Sequence, residues 1–269
     1  MALRFLQANI NHCARAQDLL FQSLAERLIN VAVVAEPYYV PSGNEWVGDR
    51  DGLVAIVSRS AVGSPAFGQA VKGRGFVAAF IRDVLVVGAY FSPNRALVEF
   101  EQFLVEIGAL IGRSRPCRVL VVGDLNAKST AWGSPATDAR GEALEEWAVL
   151  TGLEVLNRGS VHTCVRQQGG SIVDVTFADS ILARRVSGWE VLQDEETLSD
   201  HRYIRFEVSS IPAAIRRVSR PLPGDSPRWA VKRLDREVLI EAALVQAWLP
   251  ALENPVEEEA EYFGQAMSQ

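Results

Sequence analysis

A layered α/β sandwich is the fold class this sequence predicts. Three observations carry the prediction. Short β-branched runs recur between residues 3 and 208, apolar residues at helical spacing separate several of them, and the runs 76–81 and 84–90 are joined by Arg82-Asp83 alone. A two-residue joint makes an antiparallel hairpin, whereas helices between strands make parallel crossovers, so both kinds of pairing belong to this chain. A simple doubly wound sheet would show only the second.

The elements follow in order. Leu3 to Ile10 reads as a strand, and from about Arg15 to Ile29 the residues Leu19, Leu20, Leu24 and Leu28 recur at helical spacing. Val31 to Ala35 is uniformly apolar and reads as a buried strand, followed by strands over 53–57, 76–81, 84–90, 119–122, 172–178 and 203–208. Two further helices are expected over 97–111 and 141–151. A hairpin with a Gly169-Gly170 turn is expected within 163–171.

Composition changes after Ile211-Pro212. Between residues 213 and 240 lie Arg216, Arg217, Arg220, Arg228, Lys232, Arg233 and Arg236, interrupted by Pro221, Pro223 and Pro227. From Glu241 onward there are six glutamates and no lysine or arginine. The expected organisation is one domain over 1–211, then 212–269 as a basic, proline-broken linker leading into an acidic, partly helical tail.

At 269 residues with 48% hydrophobic content, the chain has ample material for one core. Three scattered cysteines, Cys13, Cys117 and Cys164, argue against a disulfide framework or a cysteine zinc site and suit a reducing compartment. The opening Leu3 to Gln7 is too polar for a signal sequence, and no apolar run approaches a membrane span, so a soluble protein without a membrane partner is expected. A formal charge of −6 argues against wholesale coating of nucleic acid and leaves only local contacts.

The chemistry gathers at strand ends. Val119 to Val122 runs into Gly123-Asp124-Leu125-Asn126, which places a carboxylate and an amide where open α/β sheets collect ligands, although Gly, Asp and Asn equally make a turn. Other strands end at Asn9, at Glu36 and at Tyr90. Asp174 interrupts a β-branched stretch, and a buried carboxylate needs a partner. His201, in Leu198-Ser199-Asp200-His201, is the histidine best embedded among acids and the candidate partner. His12 and His162 lack companions at zinc spacings and read as structural or substrate-edge residues.

The ordered set Asn9, Glu36, Tyr90, Asp124-x-Asn126, Asp174 and Ser199-Asp200-His201 resembles the endonuclease/exonuclease/phosphatase superfamily over about residues 3–208. Gly88 to Pro93, Trp132-Gly133 and Asp138-Ala139-Arg140-Gly141 narrow the resemblance to the apurinic/apyrimidinic endonuclease-like domains of non-LTR retrotransposons. Within these it is most like the arthropod lineage that inserts into large-subunit ribosomal RNA genes. The chain departs from repair members in having Pro37 after Glu36, and from related elements in having Asp138 where Asn is common.

The resemblance implies a four-layer α/β sandwich of the deoxyribonuclease I-like type and a metal-dependent endodeoxyribonuclease. The nick would leave a 3′-hydroxyl to prime reverse transcription. By the same resemblance Glu36, with Asn9 and Asp200 nearby, would serve Mg²⁺, for which Mn²⁺ substitutes, because oxygen ligands favour hard cations. Asp124 would orient or deprotonate the attacking water and Asn126 would hold that water or a phosphate oxygen. Tyr90 would bond the phosphate, and His201, oriented by Asp174, would donate to a non-bridging oxygen. Arg166, Gln167 and Gln168 in the hairpin would meet DNA. The partners implied are double-stranded DNA at ribosomal RNA genes and a reverse transcriptase domain of the same polyprotein, in the nucleus or nucleolus. Two alternatives stand beside this: an inositol-phosphate or sphingomyelin phosphohydrolase of the same superfamily, and a catalytically dead DNA-binding module.

Overall fold

The computed structural model describes residues 2–209. The boundary expected near 211 and the linker and tail expected over 212–269 lie outside the described residues. The chain runs β1 (Ala2–Asn9), α1 (Ala14–Glu26), β2 (Val31–Ala35), β3 (Trp46–Gly48), β4 (Val54–Ser58), β5 (Ala70–Lys72), β6 (Phe76–Ile81) and β7 (Val84–Tyr90). It continues through α2 (Leu97–Arg113), β8 (Arg118–Asp124), α3 (Ala139–Thr151), β9 (Leu153–Val155), β10 (Cys164–Arg166) and β11 (Gly169–Ser171). The last described elements are β12 (Asp174–Asp179), the short helix α4 (Ser180–Ala183), β13 (Val186–Val191) and β14 (Ile204–Ser209).

Two six-stranded mixed sheets result, in the orders β13-β14-β1-β2-β4-β3 and β5-β6-β7-β8-β12-β9, with β10-β11 as a separate hairpin. Alternation along each strand decides what is buried where. In β2, Val31, Val33 and Ala35 face the opposite sheet, while Ala32 and Val34 face α1 through Leu20 and Leu24. In β8, Leu120 and Val122 join the layer between the sheets, and Val119 and Val121 pack under α2 and α3 with Phe100, Ile107, Leu144 and Trp147. Both faces of each central strand are covered, which is why these runs are continuously apolar. The layers are helix, sheet, sheet, helix, as the resemblance implied.

In the first sheet β1 and β2 run parallel, and in the second β7 and β8 do, with Tyr90 opposite Asp124. The C-terminal ends of all four strands meet at one edge of the sandwich, because Asn9 of one sheet hydrogen-bonds Asp124 of the other at 2.9 Å.

Two sequence expectations need correction. The strand expected from residue 172 begins at Asp174, because the Val173 and Asp174 amides donate to Thr163 Oγ1, at 3.1 and 3.2 Å, instead of extending the ladder. The hairpin turns at Gln167-Gln168 rather than at Gly169-Gly170. Gly170 lies in the returning strand, where a Cβ would come within 2.0 Å of His162 Nδ1, so that glycine serves close packing and not the turn.

Candidate active site

Gly123 sets the site's position in the second sheet. A Cβ there would lie 1.7 Å from the Ala89 carbonyl oxygen, so only glycine lets β8 approach β7 closely just before Asp124. Beneath it, Gln7 Nε2 donates to the Gly123 carbonyl at 3.1 Å, and Thr176 Oγ1 donates to Gln7 Oε1 at 3.0 Å. This buried strut joins the two sheets one residue below the carboxylate.

Asp124 is 1% exposed. Its Oδ1 accepts from the Asn126 amide at 3.0 Å and its Oδ2 from Asn9 Nδ2 at 2.9 Å. The same Asn9 nitrogen donates to Glu36 Oε2 at 2.9 Å, while Asn9 Oδ1 accepts from the Asn11 amide at 2.9 Å. One amide nitrogen thus bridges two carboxylates. The reverse orientation would set oxygen against oxygen, so Asn9 faces the acids as a donor. Glu36 Oε1 accepts from the Tyr90 hydroxyl at 2.6 Å, and His12 Nε2 lies 3.5 Å away, with His12 Nδ1 3.1 Å from the Pro37 carbonyl. Among the described residues no lysine or arginine pairs with Glu36 or Asp124.

Across the cleft the partner required by Asp174 is the expected one. His201 Nδ1 lies 2.8 Å from Asp174 Oδ2, both side chains being almost wholly buried, and His201 Nε2 points toward Asp124 Oδ2 at 3.8 Å. The ladder sets this contact, because Asp174 pairs directly with Asp124 in β12 and β8. Asp200 sits at the rim, where its Oδ2 accepts from Arg166 Nε at 2.6 Å and its Oδ1 from Asn11 Nδ2 at 3.4 Å.

Electrostatics follow from this crowding. Burial, reinforced by the neighbouring Asp174 charge, pushes Asp124 up to about 7 despite the His201, Asn126 and Asn9 contacts that oppose it. Burial alone would draw His201 down, but the adjacent Asp174 carboxylate reverses this and pushes it up to about 12. Burial would likewise raise Asp200, but the Arg166 hydrogen bond together with the His201 and Arg166 charges holds the carboxyl below its usual range. Burial first, and Glu36 second, keep the Tyr90 phenol protonated far above its ordinary value.

Backbone strain collects at the same edge. Of the seven non-glycine residues with positive φ among those described, Asn11, His12, Glu36, Asn126 and Leu198 belong to the segments that build the site. Glu36 at φ 46° and Asn126 at φ 48° occupy positions a glycine would fill more easily, so their side chains are needed there.

Every sequence-predicted site residue lies at this edge, but several act differently from expectation. Asn9 and Asp200 were expected beside a metal with Glu36. Asn9 turns a nitrogen toward the acids, which no cation would accept as a ligand, and Asp200 already has a guanidinium partner. Asn126 donates its Nδ2 to the Phe91 carbonyl at 3.1 Å, which fixes the side chain and leaves its oxygen for a ligand. Arg166 is tied to Asp200, while Gln167 and Gln168 are exposed at the hairpin tip. His12, undervalued in the sequence because it has no zinc-type spacing, stands against Glu36.

A divalent cation fits this donor set. Glu36 and Asp124 offer hard carboxylate oxygens that no lysine or arginine occupies among the described residues, with a neutral amide between them. A second cluster, Cys164, Asp200 and His201, has its groups within 4.8 Å of one another, but there the carboxylate is matched by Arg166 and the imidazole by Asp174.

The motifs outside the polar cluster support its loops. Trp132 is buried and donates Nε1 to the Ala127 carbonyl at 3.2 Å. Asp138 Oδ1 caps α3 through the Gly141 amide at 2.8 Å and also accepts from the Lys128 amide at 3.2 Å. Arg140 donates to the carbonyls of Ser92, Pro93, Arg95 and Asn126, and its guanidinium lies over the Phe91 ring, 5.2 Å from the centroid.

No curated protein matches the chain. Residues 84–205 match the family model described as endonuclease-reverse transcriptase. Among solved structures, the endonuclease domain of TRAS1, a telomere-specific non-LTR retrotransposon, is 29% identical, with 77% of this chain and 98% of that chain covered at a TM-score of 0.64. The 3′ phosphatase NExo from Neisseria, bound to a product DNA hairpin, is 16% identical over 77% of this chain and 99% of its own, at a TM-score of 0.62. An AP endonuclease from Archaeoglobus fulgidus is 14% identical over 78% of this chain and all of its own (100%), at a TM-score of 0.60. The last two carry the fold alone. With these likenesses added to the geometry, the chain has the deoxyribonuclease I-like fold of the endonuclease/exonuclease/phosphatase superfamily.

Proposed function

We propose that this protein is a metal-dependent DNA endonuclease of a non-LTR retrotransposon. The observation that carries the reading is the pair Glu36 and Asp124, bridged by one Asn9 nitrogen and, among the described residues, paired with no lysine or arginine, opposite the buried His201–Asp174 pair. An arrangement that collects negative charge and then sets a protonated imidazole across from it suits a reaction in which a bound cation and a donor share the charge of a phosphate.

Glu36, with Asp124 alongside, would hold Mg²⁺ or Mn²⁺, which supplies charge neutralisation at the phosphate when bound. Asp124, with its affinity for a proton raised toward neutrality by burial, orients the attacking water and takes its proton. The Asn126 oxygen, fixed by the bond to Phe91, holds that water or a phosphate oxygen. Tyr90 donates to the phosphate in the protonated state its surroundings enforce. His201, kept cationic by Asp174, donates to a non-bridging oxygen as charge builds. A bond forms from the water oxygen to phosphorus and the bond to the 3′ oxygen breaks; the water's proton passes to Asp124 and the leaving 3′ oxygen takes one from solvent water, leaving a 3′-hydroxyl and a 5′-phosphate.

The likeness to a retrotransposon endonuclease and to an endonuclease-reverse transcriptase model supports a role in priming reverse transcription, with a reverse transcriptase of the same polyprotein as partner. The nucleus is the proposed place of action, on the resemblance alone. Ribosomal RNA genes are the proposed target, on the resemblance alone.

Supercoiled plasmid tests the reaction directly. Wild type is expected to convert it to the nicked circle in Mg²⁺ and not in EDTA, and folded Asp124→Ala and His201→Ala are expected to lose about 10²–10³ in rate. Wild-type nicking by either folded variant overturns the assignment. Mapping nicks on ribosomal against unrelated DNA tests the target.

A further inference from the structure

A groove of about 490 Å³ opens directly beside Asn126, between the start of α2, the start of α3 and the base of the β10-β11 hairpin. Its size lies within the roughly 300–1,000 Å³ of small-ligand sites. Its lining mixes two chemistries. Pro93, Leu97 and Val173 are apolar, with Leu97 38% exposed, while Lys128, Arg140 and Arg166 bring three cationic side chains. Asp138 is the acid of the lining, and its Oδ1 is already committed to capping α3 and the Lys128 amide. In a chain of formal charge −6 a cationic groove at the rim of a carboxylate cluster is a local reversal of sign.

The three cations are not equivalent. Arg140 spends its donors on backbone carbonyls and contributes charge to the lining, whereas Arg166 gives its Nε to Asp200, whose carboxylate offsets its charge. Lys128 is exposed and carries the three donors of an ammonium. Apolar side chains for a sugar and base, with an exposed ammonium among them for a phosphate, are what a nucleotide needs.

Resting on the endonuclease reading, we propose that this groove is a subsite for the nucleotide next to the scissile phosphate, with Lys128 contacting its backbone phosphate and Leu97 packing against its sugar or base. Lys128 thereby sets how a strand is seated over Asn126.

The test is equilibrium binding of a fluorescein-labelled DNA duplex of mixed sequence, in EDTA, across a salt series. Lys128→Ala is expected to weaken binding about fivefold and to lower the slope of log Kd against log salt by about one, as one lost phosphate contact requires. Leu97→Ser is expected to weaken binding without changing the slope. Arg82→Ala, at the opposite end of the sandwich, is expected to bind like wild type. All three variants alter exposed or half-exposed side chains, and circular dichroism checks that they fold. Wild-type affinity and slope in both groove variants, while the wild-type protein binds and nicks DNA, overturn the subsite. Equal losses in Arg82→Ala and Lys128→Ala overturn it as well, since the effect would then be one of overall charge. A wild-type protein that neither binds nor nicks DNA overturns the endonuclease reading itself.

Discussion

The two ends of the sandwich treat carboxylates in opposite ways. At the end where β7 and β8 begin, Arg185 Nη1 meets Asp83 at 2.6 Å while its Nε donates to the Ser209 carbonyl at 2.7 Å, and Arg118 meets Asp179 at 3.0 Å. Each acid has its own guanidinium. At the end where the same strands finish, Asp124, Glu36 and Asp174 crowd together with an amide, a phenol and an imidazole between them, and none of the three pairs with an arginine, Arg166 being held at the rim by Asp200. Like charges at close range raise the free energy of the folded state. The crowded carboxylates of Glu36 and Asp124, which no lysine or arginine matches among the described residues, are the feature on which the proposed cation and phosphate sites rest.

If that difference is functional, mutations at the two ends should separate activity from stability. The largest effect is expected from Asp124→Asn, which removes a charge from the crowded end. Nicking should fall by about 10²–10³ or more, while the melting temperature stays level or rises because repulsion with Asp174 is relieved. A stability loss accompanying lost nicking would contradict the comparison. Next comes Arg185→Ala at the matched end. Its loss strips a buried guanidinium from the Ser209 carbonyl and from Asp83, and should cost about 1–3 kcal/mol in denaturant unfolding. The nicking rate per folded molecule should be unaltered.

The same contrast explains what could be read without coordinates. Long β-branched runs such as Val84–Tyr90 and Val31–Ala35 are covered on both faces, so their pattern is legible at once. The Asp174–His201 pair was legible because an acid inside a buried strand demands a partner. β3, β5 and β9 are three residues each, too short for any period to show, and β13 carries Gly188 and a register shift that break its alternation. Arg140 could be flagged as part of a motif, but its acceptors are carbonyls of the 92–95 and 126 loops, which leave no side-chain signature. The orientation of Asn9 depends on the Asn11 amide in a left-handed turn that strand propensity does not encode. Glycine is ambiguous in the same sense, since Gly169-Gly170 looks like a turn and serves a close approach.

The hairpin offers a smaller and more selective change. Its base is held by Arg166 to Asp200, whereas Gln167 and Gln168 project from the tip. Replacing the two glutamines by Gly and Ser should shift the distribution of nicks on sequenced DNA while keeping total nicking within a few-fold, as expected of groove contacts that select rather than cleave. An unchanged nick map would remove the tip from target choice and leave the groove beside Asn126 as the nearer determinant.

The smallest effect belongs to Asp83. The Arg185 hydrogen bond, first among its causes, holds this carboxyl below its ordinary value. A folded-state pKa below the unfolded one means that the stabilisation is present above the unfolded value, near 3.9, and is lost as pH falls through the lowered folded value. Asp83 is 56% exposed, so solvent screening limits the contribution to less than about 1 kcal/mol. Urea midpoints for wild type and Asp83→Asn should differ slightly at pH 6, begin to approach one another below about pH 4 and meet only once the pH is below the lowered folded value, where the wild-type carboxyl is protonated as well. A difference that persists into acid would assign the effect of Asp83 to packing of the Arg82-Asp83 turn rather than to its charge, and the matched end would then owe its stability to shape.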